Sequence, residues 1–317
     1  MILQIILLII GFIILIKGAD IFVDGASSVA GNFKVSKMLI GLTIVAFGTS
    51  APEFAVSVKA IISNNHDIVL GNVIGSNILN ILLILGVSAL FHPLSVKDNT
   101  VKKEIPILLL ITTLFGVLLS DKLYDHDLTN AFTRSDGVVI TLFFLVFIYY
   151  LISIMHNKID NEKDEKYMPL LKSFIYTIGG IVLIVLGSNF VVDSSSKIAS
   201  FLGVSEKLIS LTIIALGTSL PELVTSVTAT KKGEYDIAIG NVIGSNIFNI
   251  GIVIGLPITI FGGINQINFN LIDVITMIIS SFLLFILASN DKKITKNEGL
   301  MFLFLFIVYY GFTIYKG

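Results

Sequence analysis

Two glutamates stand out by their surroundings. Glu53 follows Pro52 in the run GTSAPE and Glu222 follows Pro221 in GTSLPE, each inside an otherwise apolar stretch. A charge at the centre of a bilayer costs ~2.5–3.5 kcal/mol or more, so such residues are functional candidates by default. Thr49 and Ser50 lie four and three residues before Glu53, and Thr218 and Ser219 repeat that spacing before Glu222. Residues three and four apart share a helix face. Pro52 and Pro221 lack an N–H, so the carbonyls of Gly48 and Gly217 lose their helical donors. Freed carbonyls inside a membrane need another partner, and a bound cation would serve.

A second pair of segments supplies neutral oxygens. Asn72, Ser76 and Asn80 are spaced by four, as are Asn241, Ser245 and Asn249. Ser and Asn also act as interhelical glue, so both readings stand for Asn72, Ser76, Asn241 and Ser245. Asn77 and Asn246 fall off that face and read as structural. Every donor in the set is a hard oxygen. The chain has no cysteine, and His66, His92, His126 and His156 lie in or beside polar stretches. Thiolate sites, disulfides and cysteine nucleophiles are thereby excluded, and soft metals find no ligands. Ca²⁺ takes 6–8 oxygens at roughly 2.3–2.6 Å, and two glutamates would neutralise it. Na⁺ would accept the same ligands, whereas Mg²⁺ holds its waters more tightly.

The elements that must position these groups are membrane spans. The chain has 317 residues, 55% hydrophobic and 14% charged, with mean hydropathy +0.94 and net charge −1. Soluble domains are nearer ~25% charged. Disorder, nucleic-acid binding and nearly all soluble enzymes are excluded. A span needs ~20 apolar residues, and the apolar runs fall at 2–31, 37–62, 67–91, 104–120, 135–155, 170–202, 206–230, 236–261, 268–289 and 297–315. The first run has no basic region before it and no small-residue cleavage site, so it reads as a retained helix rather than a signal peptide. Fourteen lysines, among them Lys34, Lys37, Lys97, Lys232 and Lys292, lie in or beside loops after odd-numbered spans, against six basic residues on the other side. Positive-inside then places the odd loops in the cytoplasm and both termini outside. Lys17 and Asp20, three apart in the first span, could pair. Asp24 and Asp193 read as interfacial, and Tyr149, Tyr150, Tyr309 and Tyr310 as interface anchors.

The chain also repeats itself. Residues 41–58 and 210–227 are identical at eleven of eighteen positions, and 67–81 and 236–250 at twelve of fifteen, both at an offset of 169. Five spans separate equivalent points, an odd number, so the halves are expected to be inverted repeats. The expected fold is an all-α membrane protein with ten transmembrane helices as two inverted five-helix repeats. Broken helices are expected in spans 2, 3, 7 and 8. The first repeat covers 1–155 with its signature at 37–91, a short cytoplasmic linker covers 156–169, and the second repeat covers 170–317 with its signature at 206–261. Gly71 and Gly75, with Gly240 and Gly244, would let their helices pack closely.

GTSAPE and GTSLPE, each followed by GNVIGSN, resemble the signatures of the sodium/calcium exchangers of the cation/calcium exchanger superfamily, in the prokaryotic form without a regulatory loop. The resemblance covers the whole chain. It implies electrogenic antiport of three Na⁺ for one Ca²⁺ by alternating access, with Ca²⁺ export as the expected direction. It puts the four central ligands at Glu53, Asn80, Glu222 and Asn249, with the two glutamates shared between Ca²⁺ and Na⁺ sites. Further ligands would come from Thr49, Ser50, Thr218, Ser219, Ser76 and Ser245, and the carbonyls of Ala46 and Ala215 would serve the outer Na⁺ sites. Spans 1 and 6, with Gly18 and Gly187, would slide past the core. Asn249 departs from relatives that carry Asp there, which leans against K⁺ co-transport. The implied protein is a multi-pass cell-membrane antiporter in a lipid bilayer. It is not an enzyme, and no cofactor, nucleic acid or protein partner is implied, so a monomer suffices. The alternative on the same fold is an antiporter of Ca²⁺, or another divalent cation, with H⁺. An intramembrane enzyme lacks a nucleophile and base here, and a passive channel does not call for duplicated broken helices.

Overall fold

The computed structural model describes residues 1–63, 66–121, 130–155, 167–204, 213, 215–267 and 270–316. Most of the expected linker, the start of the seventh span, His126, His156 and Lys207 lie outside the described residues. The described residues are helical apart from two short ribbons and the connecting loops. Its helices are α1 (Ile2–Phe33), α2 (Lys37–Thr49), α3 (Ala51–Ile62), α4 (Ile68–Phe91), α5 (Ile105–Leu118) and α6 (Arg134–Met155). These are followed by α7 (Leu170–Phe201), α8 (Ala215–Thr218), α9 (Leu220–Lys231), α10 (Tyr235–Phe261), α11 (Leu271–Asp291) and α12 (Lys296–Lys316). Among the described residues, seven helices are long and apolar enough to cross a membrane, or eight if the bent pair α2–α3 is one span.

The prolines act as expected. Pro52 and Pro221 sit in the first turns of α3 and α9, where the missing N–H costs nothing. The chain bends by 48° between α2 and α3. The helices α4 and α10, expected to be broken, instead run through. Each passes into a π-helical turn at its third asparagine, Asn80–Leu85 in α4 and Asn249–Gly255 in α10, and then returns to α-helix. No proline lies inside either helix before that turn, so the extra residue is absorbed by widening.

These two helices form the core. In α10 94% of the most apolar stretch is buried and in α4 72%, against 22% in α1. The helix α10 lies close on α2: a Cβ at Gly244 would be 2.6 Å from Ala46 Cβ. Among the described residues nothing lies within 4 Å of a Cβ at Gly71 or Gly75. Residues 210 and 211, the equivalents of Gly41 and Leu42 that line the Gly240 and Gly244 contact, are outside the described residues.

Two long helices, α1 and α7, pack antiparallel along a glycine seam. A Cβ at Gly11 would meet Val191, at Gly18 Ile184, and at Gly25 Thr177, all within about 3 Å of backbone. From the other side, Gly180 abuts Phe22 and Gly187 abuts Leu15. Small residues let membrane helices approach to backbone contact.

Charged groups tie the seam to the core at one end. Lys232 Nζ lies 2.7 Å from Asp20 Oδ1 and 2.6 Å from Asp24 Oδ1. Asp20 thus pairs across to the end of α9. Glu234 accepts from Ser27 (2.8 Å) and Lys37 (3.1 Å). Two of the tyrosines expected at the interface turn inward instead: Tyr150 donates to Glu104, and Tyr309 donates to Asp273 at 3.0 Å. A carboxylate between helices offers a better partner than the headgroup region, because a buried acceptor needs a donor.

The ribbons pair Leu94–Ser95 (β1) with Lys293–Ile294 (β4) and Asn130–Phe132 (β2) with Ile264–Ile267 (β3), both antiparallel. Beside the first, Lys292 donates to Asp98 at 2.5 Å and holds that carboxyl below the usual aspartate range. A lowered folded-state value means the pair's contribution is present above the ordinary aspartate range and fades as pH falls through the lowered one. Both groups are exposed, so Asp98→Asn is expected to leave the melting temperature at neutral pH nearly unchanged. A clear drop would show that the pair organises the ribbon.

Candidate cation site

The break and the two core helices bring the two glutamates and several of the predicted hydroxyls together. Glu53, Glu222, Asn80, Asn249, Thr49, Ser50, Ser76, Ser219 and Ser245 are all buried, at 4% exposure or less. Glu53 faces Glu222 and Thr218. Ser50 Oγ donates to Glu222 Oε1 at 3.0 Å, and Thr49 and Ser245 lie beside the same carboxylate. Ser219 Oγ donates to Ser76 Oγ at 3.4 Å, and Thr49 Oγ1 comes within 3.5 Å of Ser245 Oγ. The first half therefore lends a hydroxyl to the acid of the second, and serine hydroxyls join the halves beside it.

Five acceptors among the predicted ligand residues have no donor. They are both carboxylate oxygens of Glu53, Oε2 of Glu222, and the Oδ1 atoms of Asn80 and Asn249. Leaving a buried acceptor unmade costs about 1–3 kcal/mol, more for a charged one. Two facing carboxylates also repel. A cation would answer both the repulsion and the unpaired acceptors. Among the described residues no three His, Cys, Asp or Glu side chains gather at one point, so any cation here must draw on neutral oxygens as well as the two acids.

The other predicted residues divide. The carbonyl of Ala46 already accepts from the Ser50 N–H at 3.0 Å. Ala215 opens α8, in the position equivalent to Ala46. The freed carbonyl of Gly217 is satisfied by the Ser188 hydroxyl of α7 at 3.0 Å, so it needs no cation. The equivalent of Ser188 at the 169 offset is Ala19, which has no hydroxyl to give.

Asn72 and Asn241 turn out to be braces. Asn72 Nδ2 donates to the Glu53 carbonyl (3.1 Å) and Ser57 Oγ (3.0 Å). Asn241 Nδ2 donates to the Glu222 carbonyl (3.3 Å) and Ser226 Oγ (2.9 Å). Each clips the first turn after the break to the core helix of its own half.

Sequence reasoning missed two groups. Thr225, one turn beyond Glu222, is fully buried with an unpartnered hydroxyl, and the equivalent residue is Val56. Its i+3 spacing from Glu222 was the available signal. Asn77 and Asn246, read as structural, bond directly to the two asparagines expected as ligands: Asn80 Nδ2 donates to Asn246 Oδ1 at 2.8 Å, and Asn249 Nδ2 to Asn77 Oδ1 at 3.1 Å. Their partners belong to the opposite half, which periodicity within one helix cannot reveal.

The profile of the family described as sodium/calcium exchanger protein matches residues 3–153 and 172–315. The chain is 33% identical to the sodium/calcium exchanger MaX1 of Methanosarcina acetivorans, over 96% of both chains. It is 36% identical to the inner membrane protein YrbG of Escherichia coli, over 81% of this chain and 80% of that one. Among solved structures it is similar to the sodium-calcium exchanger NCX_Mj soaked with Na⁺ and Sr²⁺, with a TM-score of 0.84, 34% identity and 97% of both chains covered.

Proposed function

Because the chain belongs to the sodium/calcium exchanger protein family, we propose that it is a multi-pass membrane antiporter that exports one Ca²⁺ against three Na⁺ by alternating access. The observation that carries the reading is the set of five buried oxygens without a donor, two carboxylates among them. A divalent ion with 6–8 oxygen ligands would neutralise both acids and use every orphaned acceptor. In this reading Glu53, Glu222, Asn80 and Asn249 hold Ca²⁺. Thr49, Ser50, Thr218, Ser219, Ser76 and Ser245, with the carbonyls of Ala46 and Ala215, complete Na⁺ sites that share the glutamates. No covalent step is involved, and the protein is not an enzyme.

The ten-span architecture belongs to the same proposal, with repeats at 1–155 and 170–317, a linker at 156–169 and both termini outside. Its support is that α1 and α7, equivalent at the 169 offset, run antiparallel. Inverted repeats interconvert by exchanging conformations around a fixed central site.

Transport tests it. Proteoliposomes loaded with Na⁺ and diluted into Na⁺-free buffer are expected to take up radiolabelled Ca²⁺, and choline-loaded ones are not. An inside-positive potential should speed that uptake, since each cycle moves one net charge outward with Na⁺, worth ~2.3 kcal/mol per 100 mV. Uptake driven by a pH gradient without Na⁺ would move the protein to proton coupling on the same fold.

The ion pairs give a further prediction. Lys232 fastens α1 to the end of α9, but its equivalent is Ser63. When the halves exchange conformations, α1 leaves α9 and Ser63 offers no replacement pair. Lys232 thus favours the access state closed at its own, cytoplasmic, end. Partly exposed pairs contribute about 0.2–1 kcal/mol. Lys232→Ser is therefore expected to raise cytoplasmic labelling of a single cysteine at buried Ala229 by about two- to five-fold. The chain's lack of native cysteine keeps the assay clean, and unchanged labelling would sink the idea.

A further inference from the structure

Asn77 and Asn246 close a hydrogen-bonded ring between the two core helices, and Asn80 and Asn249 each hang from it; all four are 1% exposed or less. Asn77 Nδ2 donates to the Asn246 carbonyl at 3.4 Å, and Asn246 Nδ2 donates to the Asn77 carbonyl at 3.2 Å. With those NH₂ groups engaged by backbone, the Oδ1 atoms of Asn77 and Asn246 face the ligand asparagines. They accept from Asn249 Nδ2 and Asn80 Nδ2, at 3.1 and 2.8 Å. The Oδ1 atoms of Asn80 and Asn249 are left without a partner.

This hydrogen-bond polarity has chemical content. A side-chain amide carries a donor at one end and an acceptor at the other. Helix α3, whose first turn holds Glu53, packs against the Asn249–Gly255 turn, and α9, with Glu222, packs against the Asn80–Leu85 turn; near a carboxylate the favoured orientation of a free amide would aim its NH₂ at it. A cation ligand must do the opposite and present oxygen. The acceptors on Asn77 and Asn246 draw the NH₂ groups away. Their own orientation is fixed in turn by the backbone carbonyls they donate to, which cannot rotate. The direction set by two main-chain carbonyls is thus relayed through two amides.

We propose that Asn77 and Asn246 are positioning residues that set which end of the Asn249 and Asn80 amides faces the transported cation. Each serves the ligand of the opposite half. The proposal rests on the cation-site reading above. It explains why the site works with asparagine at position 249: an aspartate presents oxygen whichever way it turns, whereas an asparagine must be held.

That difference supplies the test. Asn77→Leu keeps the volume and removes the acceptor. It is expected to raise the Ca²⁺ KM of Na⁺-driven uptake about 10- to 100-fold, the usual cost of losing a group that orients a metal ligand. Adding Asn249→Asp should restore most of that loss, because a carboxylate at that position needs no orienting acceptor. A role in packing alone predicts no such rescue. The pair Asn246→Leu with Asn80→Asp repeats the experiment in the other half, should one variant fail to fold. Binding is read separately, as the Ca²⁺-dependent rise in melting temperature of the full chain in detergent. Folded Asn77→Leu and Asn246→Leu proteins with wild-type Ca²⁺ dependence, or aspartates that restore nothing, would overturn the proposal. A wild-type chain that neither binds nor transports Ca²⁺ would instead overturn the cation-site reading, and the ring's role with it.

Discussion

Glu53→Gln and Glu222→Gln are each expected to reduce Na⁺-driven Ca²⁺ uptake by at least about a hundred-fold, a loss of ~2.7 kcal/mol or more. Each glutamate is buried and faces the other, and three of their four carboxylate oxygens have no donor. Glutamine keeps the volume but removes a charge, and its NH₂ would point a donor at the cation. Calcium affinity is tuned by the number of charged ligands, and here there are only two. The same substitutions should act oppositely on the ion-free protein. Removing one of two facing buried charges relieves repulsion and desolvation, so the melting temperature without Ca²⁺ should rise while its increase on adding Ca²⁺ disappears. A variant that loses transport but keeps the Ca²⁺-dependent increase would place the binding site elsewhere.

The second large effect concerns neighbouring glycines. Gly180→Ala is expected to destabilise the protein by about 1–3 kcal/mol, the range for overpacking, and to stop transport. Its Cβ would sit 2.6 Å from both Cα and Cβ of Phe22, and backbone cannot step aside. The methyl would push α1 off α7 along the seam. Gly179→Ala, one residue earlier, should be neutral or slightly stabilising. No described atom lies within 4 Å of a Cβ there, and alanine is the better helix former by ~1 kcal/mol. Thermal melts and uptake on the two variants decide it. Equal effects would mean that glycine matters there for helix flexibility rather than for close approach.

Much of this could be read in advance, for identifiable reasons. The spans follow from hydropathy, the bend from Pro52, and the oxygen cluster from carboxylates recurring at a fixed offset beside prolines. These are local signals carried by neighbours in the chain. What stayed hidden depends on contacts between helices that are distant in the chain. The asparagines at 77 and 246 lie off the ligand face of their own helices, and only the opposite helix gives them a role. Ser188 caps the Gly217 carbonyl from a neighbouring helix of its own half, 29 residues away in the chain. The π-helical turns that begin at Asn80 and Asn249 depart from the 3.6-residue period by which a helix is read from sequence.

The glycine seam and the asparagine ring share a property that bears on ancestry. Shift both partners of the Gly11–Val191 contact by 169, one forward and one back, and the result is Gly180–Phe22, which is also made; Gly18–Ile184 becomes Gly187–Leu15, likewise made. The ring maps onto itself in the same way. Contacts in which i meets j and j meets i are those that join identical subunits about a two-fold axis. Neither feature therefore requires one continuous polypeptide. Two copies of a half-length protein, inserted in opposite orientations, would build both. The mapping fails at Lys232 against Ser63, Ser188 against Ala19 and Thr225 against Val56, where one half carries a polar group that the other lacks and that two identical copies could not both supply.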